Sequence, residues 1–175
     1  MPNLYRMPAP WGSIVLREQN GEFAGLVPSL DPVEAPSTAS QPIADVMSLV
    51  EEVLSAPQAC SSKTGELLFA TQVWRRLPDF TRRVLTIVAA IEPGAWMTYG
   101  EVAAAAASPA AARAVGQVLA HNPFPILIGC HRVCGSAERD AFDILKPETF
   151  RPQAYFGEAR LASIAQWLRL LDLSL

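Results

Sequence analysis

The pattern of apolar and polar positions in the first half of the chain predicts a β-hairpin followed by a helix. Residues 11–27 predict the hairpin, because the strand-like run GSIVLREQ is separated from EFAGLV by the tight-turn dipeptide Asn20-Gly21. Residues 28–42 are rich in Pro, Ser and Ala without apolar periodicity, which indicates a loop. From Pro42 to Ala56, apolar residues recur at helical spacing and predict an amphipathic helix. A polar loop is expected at 57–65 and a short strand at 65–74.

The second half of the chain is dominated by helical patterns. Residues 79–91 predict a helix capped by Asp79, and Thr98 with Glu101 forms a capping box before an alanine-rich helix. Ser108-Pro109 is expected to open a third helix, with Ser as the cap and Pro at the first helical position. Two short helices joined by this turn predict either a helix-turn-helix or an ordinary helical hairpin.

The remainder of the second half carries a short apolar run and a final helix. Residues 125–129 predict a buried strand or extended segment that leads to Cys130-His131-Arg132-Val133. Residues 134–154 are irregular and mixed in charge, and 158–173 predict a helix with one apolar face. The expected fold is therefore α/β (α+β), with a small N-terminal α/β domain at 1–78. A mostly helical domain with a winged-helix-like helix-turn-helix is expected at 79–175.

Composition and charge limit the classes of function. Half of the 175 residues are hydrophobic, and 18% are charged, which argues against disorder. The net charge is −3, with −4 in residues 1–80 and +1 in residues 81–175, so any contact with DNA should be local. No apolar run reaches the roughly 20 residues of a membrane helix, and the start does not resemble a secretory signal. We therefore expect a cytoplasmic protein without a membrane partner.

The three cysteines are candidates for chemistry rather than for disulfides. Cys60, Cys130 and Cys134 are an odd, low count, and two histidines with one close Cys pair make a poor zinc site, so no metal is expected. Cys130 precedes His131, and a thiol reacts as thiolate when a base accepts its proton. Adjacent side chains diverge, so a bridging water would be needed. The alternative is an inert buried Cys beside a surface His.

A resemblance over the second half favours the reactive alternative. The segment MTYGEVAAAAASPAAARAVGQVLAHNPFPILIGCHRV, residues 97–133, resembles the core of the O6-alkylguanine-DNA alkyltransferases. That family shows a Y-G-E/Q-[VL]-A helix, then A-A-R-A-V-G, then N-P-x-P-I-L-I-P-C-H-R-V. A match over about 35 residues with several fixed spacings is far more specific than a four-residue motif.

The resemblance implies the catalytic roles. Cys130 would accept the alkyl group and His131, through water, would take its proton. Asn122 would hold the reactive segment through backbone hydrogen bonds. Asp172 falls five residues after Trp167, where the family's helix places the glutamate that orients the histidine. No cofactor is implied.

The resemblance also implies the contacts with DNA. Tyr99 would lie beside the extruded nucleotide and Arg113 would enter the base stack that the guanine leaves, unless they are a core aromatic and a solvated helix residue. Arg132 would be structural or close to a DNA phosphate. The small residues that would let this helix approach the minor groove include Ala111, Ala114 and Gly116. The base pocket would include Tyr99, Val133, Tyr155 and Gly157.

Two features depart from the family pattern. Gly129 stands where the family usually has proline, which would loosen the approach to Cys130. The stretch after CHRV is longer and more charged than the family's Ser/Gly-rich loop, and Glu158 replaces the second glycine of its turn.

The sequence thus predicts single-turnover repair of DNA by a monomer that moves an alkyl group from guanine O6 in a duplex to Cys130. Three alternatives remain. They are a non-enzymatic DNA-damage binder, a homologue acting on small alkylating molecules or as a thiol sensor, and a DNA-binding regulatory domain.

Overall fold

The hairpin predicted from Asn20-Gly21 is part of a three-stranded antiparallel sheet. Strands β1 (Asn3–Ala9), β2 (Gly12–Gln19) and β3 (Glu22–Ser29) pair in that order. Asn20 and Gly21 both have positive φ, at 55° and 77°, as a two-residue hairpin turn requires. The hairpin is confirmed, but β1 was not predicted. Its pattern is interrupted by Pro8, which an edge strand tolerates because one row of its backbone groups is unpaired.

The computed structural model of the chain describes residues 2–35, 37–56, 61–137 and 162–173. It divides the chain into two units, described separately below. The first unit comprises Met1–Leu77 with Pro123–Leu127, and the second comprises Pro78–Asn122 with Ile128–Leu175. A small N-terminal sheet and a helical C-terminal part confirm the predicted mixed α/β class. Among the described residues, none of the helices is both long and apolar enough to cross a bilayer.

Helix α1 (Gln41–Ser55) covers the sheet of the first unit, as its apolar periodicity predicts. Ile43, Val46 and Val50 are buried, and burying each such side chain stabilises the fold by about 1.5–3 kcal/mol. Residues 123–127 join this unit by a backbone hydrogen bond of 3.0 Å from Leu26 N to Pro123 O. Gly25 makes room for that approach, since a Cβ there would lie 2.7 Å from Pro123 O.

The strand predicted at 65–74 is wrong, because this part of the chain forms helices α2 (Ser61–Phe69) and α3 (Gln72–Arg76). The loop predicted at 57–65 is likewise helical from Ser61 onward, and 57–60, with Cys60, lie outside the described residues. Thr64 and Leu68 are buried four residues apart, which is a helical spacing. Thr71 then separates the two helices, because its side chain accepts a hydrogen bond from Trp74 N.

The second unit is built on three helices that pack pairwise: α4 (Asp79–Ala89), α5 (Tyr99–Ala105) and α6 (Ala112–Ala120). Asp79 is not the cap of α4, since Pro78 occupies that position and Asp79 pairs instead with Arg82 one turn along. The unit is completed by strands β4 (Met97–Thr98) and β5 (Val133–Cys134), a 3-10 turn at Cys130–Arg132, and α7 (Ala162–Leu173). Helix α7 buries Ile164, Ala165 and Leu168, and residues 158–161 of its predicted extent lie outside the described residues.

The start predicted for α6 at Ser108-Pro109 is wrong. Ala107 adopts a positive φ of 55°, and Ser108 N bonds back to Ala103 O at 2.9 Å, so Ser108 and Pro109 lie in the turn between helices. Helix α6 begins at Ala112. Residues 125–129 are buried as predicted, but they form no regular strand, because Ile126 has φ of 74° and Pro125 lacks an N–H donor.

The capping box at the start of α5 is confirmed. Thr98 Oγ1 accepts from Glu101 N at 3.1 Å, and Thr98 N donates to Glu101 Oε2 at 2.6 Å. Both bonds satisfy backbone groups that a helix start would otherwise leave unpaired.

We expect Thr98→Ala to lower the free energy of unfolding by about 1 kcal/mol, because the cap on α5 is lost. Ser108→Ala is the matched control, since its hydroxyl caps no helix and bonds Ala106 O only at 3.5 Å. Urea unfolding of both variants measures the difference. Equal losses would show that the α5 cap contributes nothing particular.

Candidate active site around Cys130

Two backbone hydrogen bonds shape the segment that presents Cys130. Cys130 N donates to Ile128 O at 2.7 Å around Gly129, whose φ of −68° and ψ of 56° form an inverse γ-turn. Arg132 N donates to Gly129 O at 2.9 Å and closes the 3-10 turn Cys130–Arg132, called the Cys130 turn below. Gly129 thus holds the φ that a proline ring would impose, which offsets the looseness expected from glycine.

A short parallel strand pair ties the Cys130 turn to the start of α5. Met97 of β4 pairs with Val133 of β5, and Thr98 pairs with Cys134. Cys130 keeps 9% of its surface exposed, whereas Cys134 keeps 2%. The distance from Cys134 Sγ to Met97 O is 3.9 Å. Both cysteines are therefore buried, Cys130 less completely than Cys134.

His131 is buried and contacts a carboxylate from the end of the chain. Its Nε2 lies 3.2 Å from Asp172 Oδ2, so an N–H at Nε2 can donate to that oxygen. Asp172 is reached by α7, 41 residues along the chain, where sequence spacing placed the counterpart of the orienting glutamate. The structure therefore brings the predicted pair together, and its catalytic role stays a prediction.

Arg132 binds the same carboxylate. Its Nε donates to Asp172 Oδ2 at 2.7 Å, its Nη2 to Asp172 Oδ1 at 2.9 Å, and its Nη1 to Ile91 O at 2.9 Å. The guanidinium is buried, and each of its three nitrogens donates a hydrogen bond within the protein. Of the two roles expected for Arg132, the structural one fits this geometry, and a contact with a DNA phosphate does not.

Arg169, which the sequence did not single out, supports the Cys130 turn from the same helix as Asp172. Its Nε donates to His131 O at 2.8 Å, and its guanidinium lies 4.8 Å from the centre of the Trp96 ring. The two residues are three apart on α7, so both face the same side of the helix. An Arg on the buried face of a predicted helix is the sequence signal that points to such a contact.

The electrostatics of this cluster favour a neutral imidazole and an ionised carboxylate. Burial lowers the pKa of His131 below its usual value, and the neighbouring Asp172 opposes this shift without cancelling it. Burial alone would raise the pKa of Asp172, but hydrogen bonds from His131 and Arg132 outweigh it and hold that pKa at about 2. At neutral pH the cluster therefore offers a proton acceptor on His131.

We expect acid to destabilise the second unit in two steps. Unfolded His131 binds a proton at higher pH than folded His131, so stability falls as pH drops below about 6.5, by up to about 1.4 kcal/mol per pH unit. Stability falls again as pH drops from 3.8 to about 2, where unfolded Asp172 is protonated and the folded carboxylate is not. Urea unfolding at a series of pH values measures both steps. His131→Gln should remove the first step and, because His131 helps to lower the pKa of Asp172, reduce the second. An unchanged pH profile in that variant would contradict the assignment.

Helix α6 presents the residues expected at DNA. Val115 and Leu119 bury one face of the helix, while Arg113 and Ala114 lie exposed on another. Ala111 and Gly116 are half-buried, and a Cβ at Gly116 would lie 3.9 Å from the ring of Tyr99. Tyr99 is half-buried at the first position of α5, close to α6.

The remaining predicted site residues are distributed as follows. Asn122 is buried just after α6, and Val133 is buried in β5. Tyr155 and Gly157, expected in the base pocket, and most of the irregular stretch 134–154 lie outside the described residues. Within the described ranges, no three His, Cys, Asp or Glu side chains form a cluster that would hold a metal ion.

The helical part of the chain is similar to known proteins. Residues 79–142 match the family described as 6-O-methylguanine DNA methyltransferase, DNA binding domain. The resemblance to the O6-alkylguanine-DNA alkyltransferases is thereby confirmed. The methylated-DNA–protein-cysteine methyltransferase of Mus musculus, a named relative in this family, is 34% identical over 124 residues. That alignment covers 65% of this chain and 58% of the mouse protein.

Solved structures of alkyltransferases share the fold. The O6-methylguanine methyltransferase of Mycobacterium tuberculosis is similar with a TM-score of 0.65 and 22% identity, over 99% of this chain and 94% of that chain. The M. tuberculosis protein in complex with DNA is similar with a TM-score of 0.58 and 23% identity, over 97% of both chains.

Proposed function

We propose that this protein repairs DNA by moving an alkyl group from the O6 atom of guanine to the sulfur of Cys130. The observation that carries the proposal is the buried contact between His131 and Asp172, with His131 directly following Cys130 in the Cys130 turn. The match of residues 79–142 to the alkyltransferase DNA-binding domain supports the same reaction. Substrate specificity for O6-alkylguanine in duplex DNA and action as a monomer belong to this proposal.

His131 acts as the proton acceptor. With its Nε2–H directed to Asp172, the ring presents its lone pair at Nδ1, and Nδ1 has no hydrogen-bond partner among the described residues. The lowered pKa of the buried imidazole keeps it neutral at pH 7. Nδ1 takes the thiol proton through a water molecule and generates the thiolate nucleophile.

The transfer itself is a substitution at the alkyl carbon. The sulfur–carbon bond forms as the carbon–O6 bond breaks, and guanine leaves with the electron pair of that bond. The proton that His131 took from the thiol is then returned to guanine, which restores the neutral imidazole. The thioether on Cys130 has no easy reverse reaction, so each molecule acts once.

The O6 atom is inside the base stack, so the nucleotide must leave the duplex to reach Cys130. Helix α6, with small residues around the exposed Arg113, suits close approach to the minor groove. The side chain of Arg113 would occupy the gap, with Tyr99 beside the extruded nucleotide.

The decisive experiment incubates the protein with a duplex that carries one O6-methylguanine and measures the mass of the intact protein. We expect the added mass of one methyl group on the peptide that contains Cys130. Cys130→Ala should gain nothing, and Cys134→Ala, which removes the neighbouring buried thiol, should gain the methyl group normally. Selective binding without a mass change would replace the proposal with a damage-binding function. Absence of both would exclude a function on alkylated DNA.

A further inference from the structure

The side chain of Arg132 occupies the space where a side chain at position 129 would be. A Cβ added to Gly129 would lie 2.9 Å from both Cδ and Nη1 of Arg132 and 3.1 Å from Cζ. Non-bonded carbon atoms are most stable at about 3.5–4.0 Å, so the added atom and this side chain cannot coexist without a shift.

Arg132 is not free to make that shift. Its guanidinium is buried and donates to both oxygens of Asp172 and to Ile91 O. Moving it would leave a buried cation and a buried carboxylate without their hydrogen bonds, which is costly.

The backbone of Gly129 does not itself require glycine. Its φ of −68° and ψ of 56° form an inverse γ-turn that any residue can adopt. What distinguishes this position is space, not conformation.

We propose that Gly129 is a positioning residue, whose missing side chain gives Arg132 the volume to fold under the Cys130 turn and clamp Asp172 beside His131. The consequence for catalysis rests on the proposed function, whereas the clamp itself does not. Arg132 Nε and His131 Nε2 share one oxygen, Asp172 Oδ2, at 2.7 Å and 3.2 Å. The bidentate contact therefore fixes the plane of the carboxylate that faces the imidazole.

The clamp also sets the charge around His131. The groups that act on its imidazole are Asp172, which raises its pKa, and Arg132 and Arg169, which lower it. Displacing the guanidinium of Arg132 removes a nearby positive charge and leaves Asp172 less neutralised, and both changes raise the pKa of His131.

The test is a double-mutant cycle of Gly129→Ala and Arg132→Ala, read by urea unfolding and by NMR titration of His131. Gly129→Ala should increase the unfolding equilibrium constant about 5- to 150-fold and raise the pKa of His131. In the Arg132→Ala background the added methyl group has space, so Gly129→Ala should cause almost no further loss. Gly100→Ala is the control, because its Cβ would meet nothing closer than Thr98 Oγ1 at 3.8 Å.

If the losses of unfolding free energy in the two single variants add up in the double variant, the proposed role of Gly129 is overturned. If Arg132→Ala does not fold, the titration of Gly129→Ala decides alone, and an unchanged pKa of His131 overturns the proposal. Neither unfolding nor titration involves DNA, so the two proposals can fail separately. Wild-type protein that takes up no methyl group would refute the proposed function, whereas the role of Gly129 would still be decided by the unfolding and titration results. With an active protein, Gly129→Ala should slow transfer on the order of 10- to 100-fold at saturating DNA, with unchanged DNA affinity.

Discussion

Asp172→Asn is expected to lower the free energy of unfolding by about 3–5 kcal/mol and to slow methyl transfer on the order of 100- to 10,000-fold. The substitution preserves the size of the side chain and removes its charge. In the wild type the guanidinium of Arg132 donates two hydrogen bonds to this carboxylate, at 2.7 Å and 2.9 Å. In the variant the guanidinium stays buried but has lost its counter-ion. The amide keeps one oxygen acceptor where the carboxylate had two, so it cannot accept from both His131 Nε2 and Arg132 Nη2 as the carboxylate does. The tautomer of His131 with its lone pair at Nδ1 is then no longer fixed.

A second Asp–Arg pair in the same unit provides the matched control. Asp79 pairs with Arg82 one turn along α4, and the Asp79 side chain is 81% exposed. Asp79→Asn should therefore change the free energy of unfolding by no more than about 1 kcal/mol. Single-turnover rates and urea unfolding of both variants separate the effects. A stable Asp172→Asn protein would show that Arg132 has another adequate partner, and an unstable variant with normal rate would restrict Asp172 to a structural role.

The local features of the fold were predictable where neighbouring residues decide the structure. Asn20-Gly21 specifies its turn through positive φ, and Thr98 with Glu101 specifies its helix start through two hydrogen bonds. Ser108-Pro109 carries the same kind of local signal, but the helix start predicted from it was wrong. The positive φ of Ala107 and the bond from Ser108 N to Ala103 O place this dipeptide in a turn. That turn lets α5 and α6 pack against each other, and the residues next to Ser108 do not reveal this packing.

The candidate site was predictable as a set of residues and not as a network. Cys130 and His131 are adjacent, so motif spacing alone identifies them. Asp172 follows a long stretch that departs from the family pattern, and only the course of α7 brings it within 3.2 Å of His131. The place of the Arg132 side chain in the space where a Cβ at position 129 would lie depends on a rotamer, which sequence spacing does not specify.

Arg113→Ala is expected to slow repair of duplex DNA about 10- to 100-fold and to leave reaction with free O6-methylguanine unchanged. Extruding a nucleotide costs a few kcal/mol, and a side chain that fills the gap recovers part of this, at about 1.4 kcal/mol for each tenfold in rate. Arg113 is exposed near the start of α6 between Ala112 and Ala114, so its removal should not disturb the packing of the helix. Single-turnover rates on both substrates measure the split.

Two control variants separate gap filling from simple attraction to phosphate. Arg17→Ala removes another exposed positive charge, from β2, and should leave both rates unchanged. Arg113→Lys keeps the charge but not the planar guanidinium, so it should recover affinity for undamaged DNA and only part of the duplex rate. If Arg113→Ala instead weakens binding to all DNA and reduces the salt dependence by about one ion, Arg113 contacts a phosphate. Equal losses of rate on duplex DNA and on the free base would place the effect of Arg113 in the chemistry at Cys130. After either of these two results, another side chain would have to fill the gap that the extruded nucleotide leaves.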